Sequence, residues 1–144
     1  MSDMQRRLNR VMSAMSGNES IAASLQDDAA GELLAWGHSM AKHIVEETTG
    51  IDDETAEDKM APRLRAVRLM LRSMGRWVGD AATLDDEARR ALWDRASEQA
   101  RILFGETFEF PSMQEVVEQL PEGADALQTI TWLKSYIEEK NSLG

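Results

Sequence analysis

At 144 residues with 42% hydrophobic side chains, the chain has the length of one domain and enough apolar mass for a core. Its formal net charge of −10 opposes binding of the whole molecule to nucleic acid, and the absence of cysteine removes disulfides, thiolate metal sites and cysteine nucleophiles. Three prolines and nine glycines are too few for a disordered or collagen-like chain, and no apolar run approaches the roughly 20 residues that span a bilayer.

The N-terminus, MSDMQRRLNRVMSAMSG, has no apolar stretch of the secretory kind. Arg6, Arg7 and Arg10 among scattered serines faintly resemble a transit peptide, but Asp3 weighs against that. Met4, Leu8, Val11, Met12 and Met15 instead form the apolar face of a helix over 3–15, ending near Gly17. Residues 1–18 are read as a peripheral N-terminal helix on a single domain spanning 1–144, with a short helical piece at 19–26. A second helix runs from an N-cap at Asp27 or Asp28 to about Thr48, with Gly50 as its stop. Leu33, Leu34, Gly37, Ala41, Ile44 and Val45 mark its apolar arc. Gly37 lies at the middle, where it costs about 1 kcal/mol of helix propensity and predicts a close approach by another helix.

A third helix begins after Ile51 and reaches Val78, and Pro62 within it predicts a kink or a break into two pieces. A fourth runs from Thr83 or Leu84 to Phe104, stopped by Gly105. The stretch TFEFPS at 107–112 suits an extended connector that tucks Phe108 and Phe110 inward. Ser112 and Glu115 have capping-box spacing for a short helix closed by Pro121, and a last helix spans about 123–140. The fold expected is an all-α, single-domain helical bundle of five or six helices. DDAAGE, DDETAE and DDEARR each open a helix, at unequal spacings, and read as acidic caps rather than as a repeat.

Residues 46–58 carry seven carboxylates. Asp52, Asp53, Glu54, Glu57 and Asp58 lie at or near a helix start, where acids stabilise free amides, and they lack the D-x-D-x-D-G ladder that wraps calcium. The acids of helical nucleotide hydrolases, two turns facing one magnesium ion, have no clean counterpart, since a glycine break separates Glu47 from Asp53 and Asp58. Both histidines lie in GHSMAKHIVEE. At about 100° per residue, His38 and His43 stand about 140° apart around their helix, so one helix cannot bring both to one ion. His43 has Glu46 and Glu47 at helical-neighbour spacing, and these three make the metal set of the alternative reading. No G-x-S-x-G elbow is present.

The third helix carries the sharpest signal. Leu64, Val67, Met70, Leu71, Met74, Trp77 and Val78 form its apolar face, and Arg65, Arg68, Arg72 and Arg76 share an opposite arc of about 80°. Arg63 points to the edge of the core, and Leu69 lies on the arginine side. Residues 61–79 hold five bases and no acid, whereas 16–60 hold eleven acids and two bases. Three readings compete for the stripe: acids of a neighbouring helix within the monomer, a protein–protein face with Leu69 as apolar anchor, or a phosphate ligand or nucleic acid. The last is disfavoured because no aromatic interleaves the arginines. The nine methionines and Trp36, Trp77, Trp93 and Trp132 read as core or core edge, with Trp93 at a border and half exposed.

The sequence therefore points to a cytoplasmic, non-enzymatic interaction or regulatory protein that engages a protein partner or itself through Arg65, Arg68, Leu69, Arg72 and Arg76, with no catalytic residue, cofactor, nucleic acid or membrane. The alternative is a metal-dependent enzyme or small-molecule binder at His43, Glu46 and Glu47.

Overall fold

The computed structural model describes residues 3–16, 25, 27–80 and 82–143. Among these it holds six helices and no strand: α1 (Asp3–Ser16), α2 (Asp27–Glu46), α3 (Asp53–Gly79), α4 (Asp86–Phe104), α5 (Met113–Gln119) and α6 (Ala126–Leu143). The helical piece expected at 19–26 lies outside the described residues apart from Leu25, which packs against the core.

Helix starts follow local chemistry. Asp52 caps α3 through the Thr55 N–H (2.8 Å), Asp85 caps α4 through the Ala88 N–H (2.7 Å), and Ser112 caps α5 through the Glu115 N–H (3.0 Å). Asp125 and Gln128 cap α6 reciprocally: Gln128 N–H donates to the Asp125 carboxylate (2.8 Å) and Asp125 N–H donates to the Gln128 side chain (2.9 Å). Two starts differ from expectation. Thr83 and Leu84 belong to the turn before α4, where both N–H groups donate to the Asp80 carbonyl, and α6 begins three residues late because Gly123 sits at φ 77° in a turn. After α2 the chain reverses through 47–50 with Gly50 at φ 82°, a backbone region that favours glycine.

The break considered at Pro62 does not occur, and α3 continues through it. Pro62 has no N–H for the Asp58 carbonyl, but the turn it lies in is exposed at Asp58, Ala61 and Pro62, on the solvent side of the helix. Ala56 and Met60 on one side, and Ala66 and Val67 on the other, are buried and hold the flanking turns.

α3 is the spine of the bundle. It packs against α4, α2 and α6, while α1 lies on α2. Its buried residues extend beyond the expected apolar face to Ser73 and Gly75, and they sweep about 200° of its circumference. Leu33, Trp36 and Val45 of α2, Met60, Met70, Leu71 and Met74 of α3, and Ile130, Leu133 and Ile137 of α6 are almost fully buried and form the centre of the core.

Trp93 corrects the half-exposed placement. It is 5% exposed, donates its indole N–H to the Pro111 carbonyl (2.8 Å), and lies 4.5 Å from Trp77 and 5.1 Å from Phe110 between ring centroids. The connector that tucks Phe110 inward also covers Trp93, so non-local packing moves this residue from the helix border into the core. The guanidinium of Arg89 lies 4.8 Å over the Trp77 ring.

Candidate functional site

α3 buries about 200° of its circumference, and beyond Pro62 its exposed residues are Arg65, Arg68, Arg72, Arg76 and Gly79. Arg65, Arg68, Arg72 and Arg76 are all exposed, and Leu69 beside them is half-buried. Arg76 approaches Asp80 one turn on, at 3.7 Å. The side chains of Arg65, Arg68 and Arg72 make no ion pair or hydrogen bond to any other described residue. The acids of neighbouring helices that the intramolecular reading requires are therefore absent from these three among the described residues.

The acids near the start of α3 are held by other cations. Arg7 of α1 reaches Asp53 with Nη2 at 2.7 Å and Nε at 2.9 Å, and Arg10 reaches Glu57 at 3.4 Å. Arg63 pairs with Glu47. Arg7 does more than pair with a carboxylate. Its Nη1 donates to the Thr48 carbonyl (2.9 Å) and hydroxyl (3.2 Å), and its Nη2 donates to the Ile51 carbonyl. A guanidinium 5% exposed thus ties α1 to the turn between α2 and α3. The Arg7 hydrogen bond holds the Asp53 carboxyl below its ordinary range, and the Thr55 N–H does the same for Asp52.

Sequence reasoning missed Arg7. The signal was present: Arg7 stands three residues after Met4 and four before Val11, within the apolar stripe of α1, where a lone arginine must bury its donors against something.

Two grooves border these residues. One, of about 270 Å³, runs between α1 and α3 and is lined by Arg10, Val11, Glu57, Ala61, Leu64, Arg65 and Arg68, so it joins the arginine stripe on an apolar floor. The other, of about 250 Å³, is lined by Trp36, Met40, His43, Ile44, Arg63, Leu103, Phe104, Ile137, Ser39 and Glu138.

His43 lies on the rim of the second groove. It is exposed, with Nε2 3.3 Å from the Glu47 carboxylate that Arg63 also engages. Glu46 is exposed and lines neither groove, and His38 is half-buried. Among the described residues, no three His, Asp or Glu side chains converge as metal ligands would. No described helix is long and apolar enough to cross a membrane.

No protein-family model, curated protein or solved structure matches this chain.

Proposed function

We propose that this chain is a cytoplasmic, non-enzymatic interaction protein that docks an acidic protein surface on the exposed face of α3. Arg65, Arg68, Arg72 and Arg76 supply the cationic contacts and Leu69 the apolar centre, an arrangement that matches arginine-enriched interfaces around aliphatic anchors. The observation that carries this reading is the set of three exposed arginines without an acid partner among the described residues, on a stretch of α3 (65–78) whose other residues, Arg76 apart, are buried or half-buried. Aligned like charges repel, and carboxylates of a partner relieve that repulsion in bidentate geometry. The overall charge of −10 disfavours nucleic acid as the partner, and the lack of cysteine suits a reducing compartment.

The test is capture from native extract with wild-type bait beside Arg68→Glu/Arg72→Glu bait of unchanged helicity. A partner held by the first, released by salt and lost from the second is the expected result. Identical catches from both baits would refute the assignment.

The groove beside His43 favours a second reading, a binder of a small apolar molecule with one hydrogen-bonding group. Its floor is Trp36, Met40, Ile44, Leu103, Phe104 and Ile137, and its volume of about 250 Å³ lies just below the range of ligand pockets. Quenching or enhancement of tryptophan fluorescence by an anilinonaphthalene dye, abolished by Met40→Trp, would support it. A dye response unchanged by Met40→Trp would count against it.

A further inference from the structure

The exposed line of α3 carries acids as well as arginines. At 3.6 residues per turn, Glu54, Asp58, Ala61, Arg65, Arg68 and Arg72 fall on one narrow arc, and all six are exposed. The first two are acidic, the third is small and the last three are basic. The acids on the flank of this line that faces α1 are paired within the chain, Asp53 with Arg7 and Glu57 with Arg10. Glu54, Asp58, Arg65, Arg68 and Arg72 make no ion pair or hydrogen bond to another described side chain.

The helix macrodipole explains part of this segregation, because acids suit a first turn and bases a last one. That effect fades beyond one turn, so it covers Glu54 but not Asp58 in the second turn, nor the mid-helix Arg65, Arg68 and Arg72. Within one molecule, acids beside acids and arginines beside arginines are the less favourable arrangement.

We infer that the partner of this face is a second copy of the same chain, bound antiparallel along α3 about a twofold axis near residue 63. The inference rests on the proposed interaction role of the stripe and adds the identity and geometry of its partner. In this register Glu54 of each copy faces Arg72 of the other, Asp58 lies level with Arg68 across the line at a separation the long arginine side chain spans, and Ala61 lies level with Arg65. The spacings match, since Glu54–Asp58 and Arg68–Arg72 are both four residues apart, about 6 Å along the axis. All four ion pairs form together, and each Arg65 meets the small Ala61 rather than its own copy. The Asp58 carbonyl, which Pro62 leaves without an N–H, adds an acceptor on the same surface. A twofold interface must be self-complementary, and a helix face with one acidic and one basic half meets that condition. The face is about 27 Å long and one helix wide, so the buried area falls short of the roughly 1,200 Å² of a standard stable interface. The dimer is therefore weak, reversible and governed by salt.

Sedimentation of the full chain tests this, with two charge-uniform variants checked for unchanged helicity. Glu54→Arg/Asp58→Arg makes the face all basic, and Arg68→Glu/Arg72→Glu makes it all acidic. Wild type is expected to dimerise at low ionic strength, about 0.02 M, and to weaken at least tenfold at about 0.5 M. Each variant alone is expected to be monomeric, and their equimolar mixture is expected to recover the dimer, because every pair is then restored across the interface. A wild type that stays monomeric at about millimolar concentration and low salt would overturn the inference. So would variants that still dimerise alone, or a mixture of folded variants that stays monomeric. If the wild type is monomeric while Arg68→Glu/Arg72→Glu loses a captured partner, the dimer falls and the interaction role stands. If neither association nor capture depends on the arginines, both fall.

Discussion

Replacing Arg7 by Met keeps the aliphatic stem and removes every donor that joins α1 to the α2–α3 turn. Two buried or half-buried backbone carbonyls, those of Thr48 and Ile51, lose a charged donor. Hydrogen bonds to a charged group contribute about 1.5–3 kcal/mol each. The Thr48 carbonyl keeps the Ile51 N–H at 3.1 Å, and the guanidinium no longer has to be desolvated, so the net loss is about 2–4 kcal/mol. The Asp53 carboxylate adds little to this loss because it is 69% exposed and remains solvated without its partner. A 144-residue domain unfolds with an entropy of about 0.3 kcal/mol/K, which converts the loss into about 7–13 °C of melting temperature. Thermal unfolding followed by circular dichroism reads it directly. The deficit is expected to persist at about 0.5 M salt, since sheltered carbonyl contacts are poorly screened. Arg6→Met is the control: Arg6 is 62% exposed, pairs among the described residues with Asp3 one turn away, and is expected to cost less than about 1 kcal/mol. An Arg7→Met protein melting within about 3 °C of wild type would refute the assignment of Arg7 as the clamp of α1.

Pro62→Ala returns an N–H to the Asp58 carbonyl at an exposed site inside a continuous helix, and it is expected to stabilise the protein by up to about 3 kcal/mol; an unchanged or lower urea midpoint would contradict that. Gly37→Leu forces a side chain into a buried position of α2 and is expected to cost about 1–3 kcal/mol, whereas Gly31→Ala, with nothing within 4 Å of the added Cβ, is expected to raise stability by up to about 1 kcal/mol. Retained melting temperature in Gly37→Leu would remove the packing role of that glycine. Asp52 and Asp53 are both held below their ordinary value of 3.8 in the folded chain, so the unfolded chain binds protons first as pH falls. Their contribution is complete above that value and is lost as pH drops through the lower folded values. An Asp52→Asn/Asp53→Asn protein is therefore expected to lose less stability than wild type between pH 4 and pH 2; parallel losses would place the acid sensitivity elsewhere.

Much of the bundle was legible locally. An acid or a serine before an apolar periodic stretch caps a helix through contacts within three residues, which is why the acidic clusters at 52 and 85 and Ser112 mark helix starts, although the apolar pattern drew the start of α4 back to Thr83 or Leu84. Gly50 and Gly105 could be read as stops because a positive φ is a local demand. Pro62 does not break α3, because the cost of a lost helical bond depends on whether the freed carbonyl faces water or protein. Trp93 misled for a related reason: its helix places it at a border, and only the fold-back of Phe110 and Pro111 covers it.

The arginine stripe divides the two kinds of information most clearly. The offsets of Arg65, Arg68, Arg72 and Arg76 fix their common face, since helical geometry follows from sequence position alone. Whether another element of the chain meets that face depends on how six helices pack, and no local pattern encodes it. Tertiary packing gave the acids at the start of α3 to Arg7 and Arg10 of α1 and gave Glu47 to Arg63, and it left Arg65, Arg68 and Arg72 facing outward. Charge signs and helical phase belong to the sequence. The partners of those charges belong to the fold, because pairing needs contact between residues up to 102 positions apart, and only the packed bundle brings them together.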